Sequence, residues 1–301
     1  MPKKNRPILT VFLILGGVAV FLSLTSLVVF KALGISSTLS LNEKIGVIPI
    51  EGIISDSRNI LYHLDKFQKD QAIKAIILRI DSPGGSVGPS QEIYHQVRKT
   101  IRTKKVIVSM GAVAASGGYY IAAAADKIVA NPGTITGSIG VIMEFFRFEE
   151  LLKKIGVQLE VIKSGEFKDV GSPHRELTDR DRELLLQVIT DIKNQFIEGV
   201  ASGRHMPVEK VREIADGRIF TGDRAKKLGL VDALGNFQDA VDLAKEMSGI
   251  EGEVDLVYPE KRRPSLLDII METGIKSLKK AIQETNIPIE YRWRGLSGPF
   301  S

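Results

Sequence analysis

The chain has 301 residues, enough for one large or two medium domains. With 44% hydrophobic and 26% charged residues it has an ordinary globular balance, which excludes disorder, collagen and coiled coil as the main state. It contains no cysteine, so disulfides, Cys-zinc sites, iron–sulfur clusters and thiol catalysis are excluded as well.

The net charge of +5 is carried by the two ends. Lys3, Lys4 and Arg6 open the chain, and residues 258–301 hold eight Lys/Arg against five Asp/Glu. Residues 7–257 are close to neutral, with 30 basic and 31 acidic side chains. No nucleic-acid partner is expected, because that would need a basic face on the folded body.

In chain order, residues 1–7 read as a basic cytoplasmic tail. Residues 8–30 form a run of 23 without a charge. As a helix it spans roughly 34 Å, enough to cross a bilayer core of about 30 Å. The basic residues in front of it put the N-terminus in the cytoplasm and the rest of the chain outside. A cleaved signal peptide is the competing reading. Its apolar core would be about 7–15 residues long, with a small-x-small cleavage site, and Val28-Val29-Phe30 makes a poor one. The sequence therefore predicts a single-pass anchor in a bacterial cytoplasmic membrane. A linker, residues 31–43, follows, with Ser36, Ser37, Thr38 and Ser40.

Residues 44–257 alternate short apolar runs with helical patterns. Strands are predicted at 45–50, 75–80, 105–109, 127–130 and 158–162. Runs this rich in β-branched residues suit strands buried on both faces. Helices are predicted at 89–102 and 181–200, with Leu184, Leu185, Val188, Ile189, Ile192, Phe196 and Val200 on one stripe of the second. Pro207 and Gly217 bracket a short helix, and Asn236 caps another. This alternation predicts an α/β layer fold with parallel strands. Residues 258–301 read as a basic C-terminal extension, with an amphipathic helix near 265–283 and an irregular stretch over 288–301.

Two glycine-rich turns follow apolar strands, Asp81-Ser-Pro-Gly-Gly-Ser86 and Ser109-Met-Gly-Ala-Val-Ala-Ala-Ser-Gly-Gly118. Each precedes a helix. Free backbone N–H groups at a helix start, approached closely at glycine, are the material of an oxyanion hole. Ser116 stands where the second turn becomes a helix. By itself it reads as a plain N-cap before it reads as a nucleophile. None of His63, His95, His174 and His205 has a catalytic context, and each reads as a surface histidine. Lys168 lies in a loop after the predicted strand 158–162. A lysine serves as a base only when desolvation favours its neutral form, and most lysines are simply solvated.

Five ordered motifs carry a resemblance. They are Ser-Pro-Gly-Gly (82–85), Met-Gly-Ala-Val-Ala-Ala-Ser-Gly-Gly-Tyr-Tyr (110–120), Thr-Gly-Ser-Ile-Gly-Val-Ile (136–142), Lys-Ser-Gly-Glu-Phe-Lys-Asp (163–169) and Ala-Asp-Gly-Arg-Ile-Phe-Thr-Gly (215–222). Together they resemble the signal peptide peptidase A family in its short, single-unit bacterial form. The resemblance implies a ClpP/crotonase-like superfold of repeated ββα units behind one transmembrane helix. It implies Ser116 as nucleophile, Lys168 as general base, Gly85 and Gly117 as oxyanion-hole donors, and Ser138 as the residue orienting the lysine. It implies no metal and no cofactor. Its substrates would be signal-peptide remnants and other hydrophobic peptides at the bilayer, and its assembly a homo-oligomeric ring. Two other readings stand beside it: a crotonase-like acyl-CoA enzyme, and a catalytically silent membrane scaffold of the same fold.

Overall fold

The computed structural model describes residues 43–259 and 289–292, together with 16–18, 20–22 and 25 near the N-terminus. The last group belongs to a separate unit, residues 1–42. It is helical, and the Thr25 hydroxyl donates to Phe21 O at 2.9 Å. Among the described residues no helix is long and apolar enough to cross a membrane. Most of the run at 8–30, and the helix expected near 265–283, lie outside the described residues.

The second unit is built on a mixed, mainly parallel sheet of ten strands. Strand β1 (Lys44–Ile54), β2 (Ile73–Ser86), β3 (Lys105–Ala115) and β4 (Lys127–Ala130) lie side by side and parallel. Their continuous apolar runs are explained by burial on both faces. Ile48, Ile50, Ile76, Leu78, Ile80, Val106 and Val108 pack into one core. The alternate residues Ile45, Val47, Ala75, Ile77 and Ile107 pack into a second.

The first core is covered by α1 (Arg58–Lys69), α2 (Val87–Thr100), α3 (Gly117–Ala122) and the C-terminal half of α5 (Asp179–Arg204). The second is covered by α8 (Phe237–Ser248), whose Ala240, Val241 and Ala244 face in. As its sequence suggests, Asn236 caps α8 with a capping box. Short strands complete the sheet: β5 (Ile135–Gly137) on β3, β7 (Ile219–Thr221) on β5, β8 (Ala233–Leu234) on β4 and β9 (Asp255–Val257) on β1.

Three expectations need correction. Residues 158–162 are not a strand: among the described residues no strand pairs with them, and Leu159 and Ile162 stand 59% and 95% exposed. Their alternating pattern fits a half-buried strand, but a strand needs a hydrogen-bonded neighbour. The stretch 288–301 is not irregular throughout, because residues 289–292 form β10 (Ile289–Arg292), antiparallel to both β2 and β6 (Ile142–Met143). Finally, Pro207 sits at the N-cap of α6 (Val208–Arg212) rather than inside it, and that helix ends well before Gly217.

Between β6 and α5 the chain changes character. Of residues 142–180 only Gly171 is buried. This arm contains α4 (Glu149–Lys154) and a 3-10 turn at Glu166–Asp169, and neither element buries a residue.

Candidate active site

Three neighbouring strands end together, and the sequence-predicted residues cluster there. Ser82 of β2 is in register with Ala114 of β3, and Ala115 with Gly137 of β5. The next residues along these strands are Gly84 and Gly85, Ser116 and Gly117, and Ser138. The carboxyl ends of parallel strands are where open α/β sheets place their sites.

Strand β3 is bent to reach this point. Its pairing with β2 passes from Ile80–Met110 to Ser82–Ala114, so β3 carries two residues more than β2 across the gap. A bulge of this kind re-aims the end of a strand. Asp81 braces it: its carboxylate accepts the Val113 N–H at 3.0 Å. A Cβ on Gly111 would lie 2.8 Å from the Asp81 carboxyl carbon, so only glycine fits beside the brace.

Ser116 has φ 55° and ψ −118°. These are the angles of the first central position of a type II′ turn, which favours glycine. An L-residue held there costs about 1–3 kcal/mol. Two backbone bonds hold it: its N–H donates to Gly137 O at 2.8 Å, and its carbonyl accepts the Tyr120 N–H at 2.8 Å. The residue is 1% exposed, yet its side chain makes no capping bond. Ser116 thus holds the N-cap position of α3, as its sequence suggests, without the side-chain bond of a cap. Ser116 immediately precedes α3, whose first-turn N–H groups lack helical acceptors.

Close packing fixes the surroundings. A Cβ on Gly85 would fall 2.2 Å from Ile54 O, and one on Gly118 would fall 3.1 Å from Ser82 O. The Ser82 hydroxyl donates to Gly52 O and accepts the Gly84 N–H, which ties the β2 turn to β1. Ser138 also adopts a left-handed conformation, φ 51°, and its N–H donates to Arg218 O at 2.8 Å. Thus Gly85, Ser116, Gly117 and Ser138 are brought together on adjoining strand ends.

Lys168 is placed elsewhere. It is exposed on the 3-10 turn of the arm; its backbone N–H donates to Gly165 O at 3.2 Å, and its side chain has no hydrogen-bond or ion-pair partner among the described residues. The turn is tied to the N-terminus of α5, because Arg175 bridges Asp169 and Asp181. The far half of α5 packs on α3, the helix that Ser116 begins. Phe196 meets Tyr120 edge-on at 5.0 Å, and Gly203 lies so close that a Cβ would fall 1.9 Å from Ala123 O. From Asp181 to Phe196 the axis of α5 runs about 22 Å. The lysine turn is thus tied to one end of α5 and the helix that Ser116 begins to the other, and no hydrogen bond joins the two residues.

The histidines stay outside this cluster. His95 and His205 are exposed, His174 is half-buried in the arm, and His63 is buried on α1 between the rings of Tyr62 and Phe67, contrary to the surface placement its sequence suggests. Two structural contacts around the candidate site escaped sequence reasoning. The Asp81 brace left no signal beyond its motif, and Arg175 left only the Thr178-x-x-Asp181 cap beside it.

Peptidase family S49 matches residues 98–251, and the Clp protease family matches residues 40–134. A protein of Synechocystis sp. named as a protease is 45% identical over 227 residues, covering 75% of this chain and 82% of its own. The chain belongs to peptidase family S49. Its parallel-rich sheet is consistent with a ClpP-like fold. Other S49-type relatives are a Methanocaldococcus jannaschii protein named as a protease, 34% identical over 77% of this chain and 74% of its own, and an Enterococcus faecium protein named as a signal peptide peptidase, 36% identical over 68% and 64%. The chain is thus a serine protease of the S49 type.

Proposed function

We propose that this S49 protease is a membrane-anchored endopeptidase in which Ser116 is the nucleophile and Lys168 the base, and that each active site forms between two copies of the chain in a ring. The observation that carries the reading is Ser116 itself. A serine is held at a glycine's backbone angles, buried, without a capping bond, at the mouth of a helix N-terminus. Strain of this kind persists only where surrounding structure over-determines it.

The mechanism follows from the neighbours. Neutral Lys168 takes the Ser116 proton as Oγ attacks the scissile carbonyl. The Gly85 and Gly117 N–H groups receive the oxyanion, and Ser138 Oγ orients the lysine amine. The protonated lysine then gives its proton to the leaving amine. Lys168 next activates a water, which adds to the acyl-enzyme and releases Ser116.

The shared site is supported by the arm. Within one chain no hydrogen bond joins Lys168 to Ser116, and the arm buries almost nothing of its own. Phe146, Leu151, Ile155, Leu159 and Ile162 are all exposed on it. An apolar arm of this size suits a second copy of the chain. Docked there, it would bring a lysine to the neighbour's serine and cover it from water.

An extended peptide has a path to this site. Strand β10 runs antiparallel along residues 84–86 of β2, with Tyr291 opposite Gly85. That edge accepts a peptide backbone by strand addition at the oxyanion glycine. The apolar run at 8–30 would keep the site at the bilayer. Signal-peptide remnants are the substrate class, as the name of the Enterococcus relative suggests.

A fluorophosphonate probe tests the chemistry. Wild type should be labelled at Ser116. Ser116→Ala and Lys168→Ala should each lose peptide hydrolysis while remaining folded. The double variant should be little worse than either, because the two residues act as one unit. Substantial turnover by Lys168→Ala contradicts the assignment.

A further inference from the structure

We infer that Arg175 is the positioning residue for Lys168: its guanidinium, gripped between Asp169 and Asp181, sets where the lysine stands. The inference rests on Lys168 being the base. Its starting point is what the lysine turn lacks. Residues 166–169 bury no side chain, so hydrophobic packing does not locate them. A group that must meet a serine within about 0.5 Å needs some other support.

Polar contacts supply it, and Arg175 is their hub. Its Nε and Nη2 donate to the two oxygens of Asp169 at 3.0 and 2.8 Å, a bidentate fork. Its Nη1 donates to Asp181 Oδ2 at 2.5 Å and to Glu176 O at 2.9 Å. Asp181 is fixed in turn: it accepts the Thr178 N–H at 2.9 Å, and its own N–H donates to Thr178 Oγ1 at 3.1 Å, closing the capping box of α5. The turn carrying Lys168 is thus pinned, through one guanidinium, to the first turn of a 26-residue helix.

The other cations of the arm are secondary. Lys163 reaches Asp169 at 2.8 Å, and Arg180 reaches Glu166 at 2.7 Å. The Arg180 side chain is 68% exposed and its pair is open to water, whereas Asp169 and Asp181 are 11% and 2% exposed. Exposed pairs contribute little. The Arg175 fork holds the Asp169 carboxyl well below the usual carboxylate range, with Lys163 adding to it. The arrangement engages Lys163, Arg175 and Arg180 with carboxylates and leaves the Lys168 amine free to reach outward.

The test compares Arg175→Met, Arg175→Lys, Arg175→Ala and Asp169→Asn with wild type in the full-length assembled protein. Arg58→Gln, which removes an exposed surface pair with Asp56, serves as control. A misplacement of about 1 Å can cost about 100-fold in rate. Arg175→Met should therefore lose about 10- to 100-fold in kcat with KM within about twofold. Arg175→Lys should recover little, since an ammonium cannot fork. Added guanidinium ion should restore part of the rate of Arg175→Ala. Asp169→Asn, which keeps the side-chain shape, should show the same kcat loss. Melting temperature and oligomer size are followed throughout. The inference is overturned if folded Arg175→Met keeps its kcat. It is also overturned if kcat falls only in step with folded protein and guanidinium ion does nothing. Turnover by Lys168→Ala would remove the base itself, an outcome that the Arg175 variants do not mimic.

Discussion

Ser116 sits in a backbone region that an L-residue resists, and this has a measurable consequence. Replacing it by glycine removes the strain at φ 55°, while replacing it by alanine keeps it. The relief, about 1–3 kcal/mol, exceeds the roughly 0.5–1 kcal/mol entropic cost of a glycine. Ser116→Gly should therefore melt several degrees above Ser116→Ala, both being inactive; equal melting temperatures would mean that the elbow is unstrained. The Arg175 network gives a second residue-scale prediction. Asp181 is lowered to about 2, first by its bond from Arg175 and then by the Thr178 N–H, and Asp169 is lowered further still. An unfolded aspartate titrates near about 3.9. Since the folded values lie below the unfolded one, the clamp contributes in full above about pH 4 and is lost as pH falls towards about 2. Carboxyl-carbon shifts of Asp169 and Asp181, titrated downwards from about pH 6, should stay flat to about pH 3; midpoints near about 3.9 would show the clamp to be open in solution.

At the scale of elements, β10 occupies the edge on which a substrate strand would add. Substrate and tail then compete for residues 84–86. A chain ending at residue 259 should react with the fluorophosphonate probe and hydrolyse peptide faster than the full chain, and a synthetic peptide of residues 286–296 should inhibit it. Unchanged rates in the shortened chain would place the substrate elsewhere. The tail also marks the limit of what the sequence reveals. Strands β1 to β4 were legible because burial on both faces forces an unbroken apolar run. The helices α2, α5 and α8 were legible from stripes and caps. Strand β10 was not, since its pairing is set by β2 and β6, both more than a hundred residues away. Residues 158–162 misled for the converse reason. Their pattern is that of a strand, and no edge among the described residues receives them.

For the whole molecule, the glycines, Ser116 and Ser138 could be read from motifs, and the sheet gathers them on adjoining strand ends. The strained elbow could not be read, because it depends on Gly137 and Tyr120 closing around one residue. Nor could the sequence tell that the lysine turn is tied to the first turn of a 26-residue helix whose far half packs on α3. On the proposed reading, the exposed lysine turn and the uncovered arm make assembly part of the chemistry. Inactive Ser116→Ala and inactive Lys168→Ala chains, mixed under conditions of demonstrated subunit exchange, test this most directly. If sites form between neighbours, mixed rings contain serine and lysine intact in the same site, and peptide hydrolysis returns. Exchange without any recovered activity would contradict a shared site and place both residues within one chain.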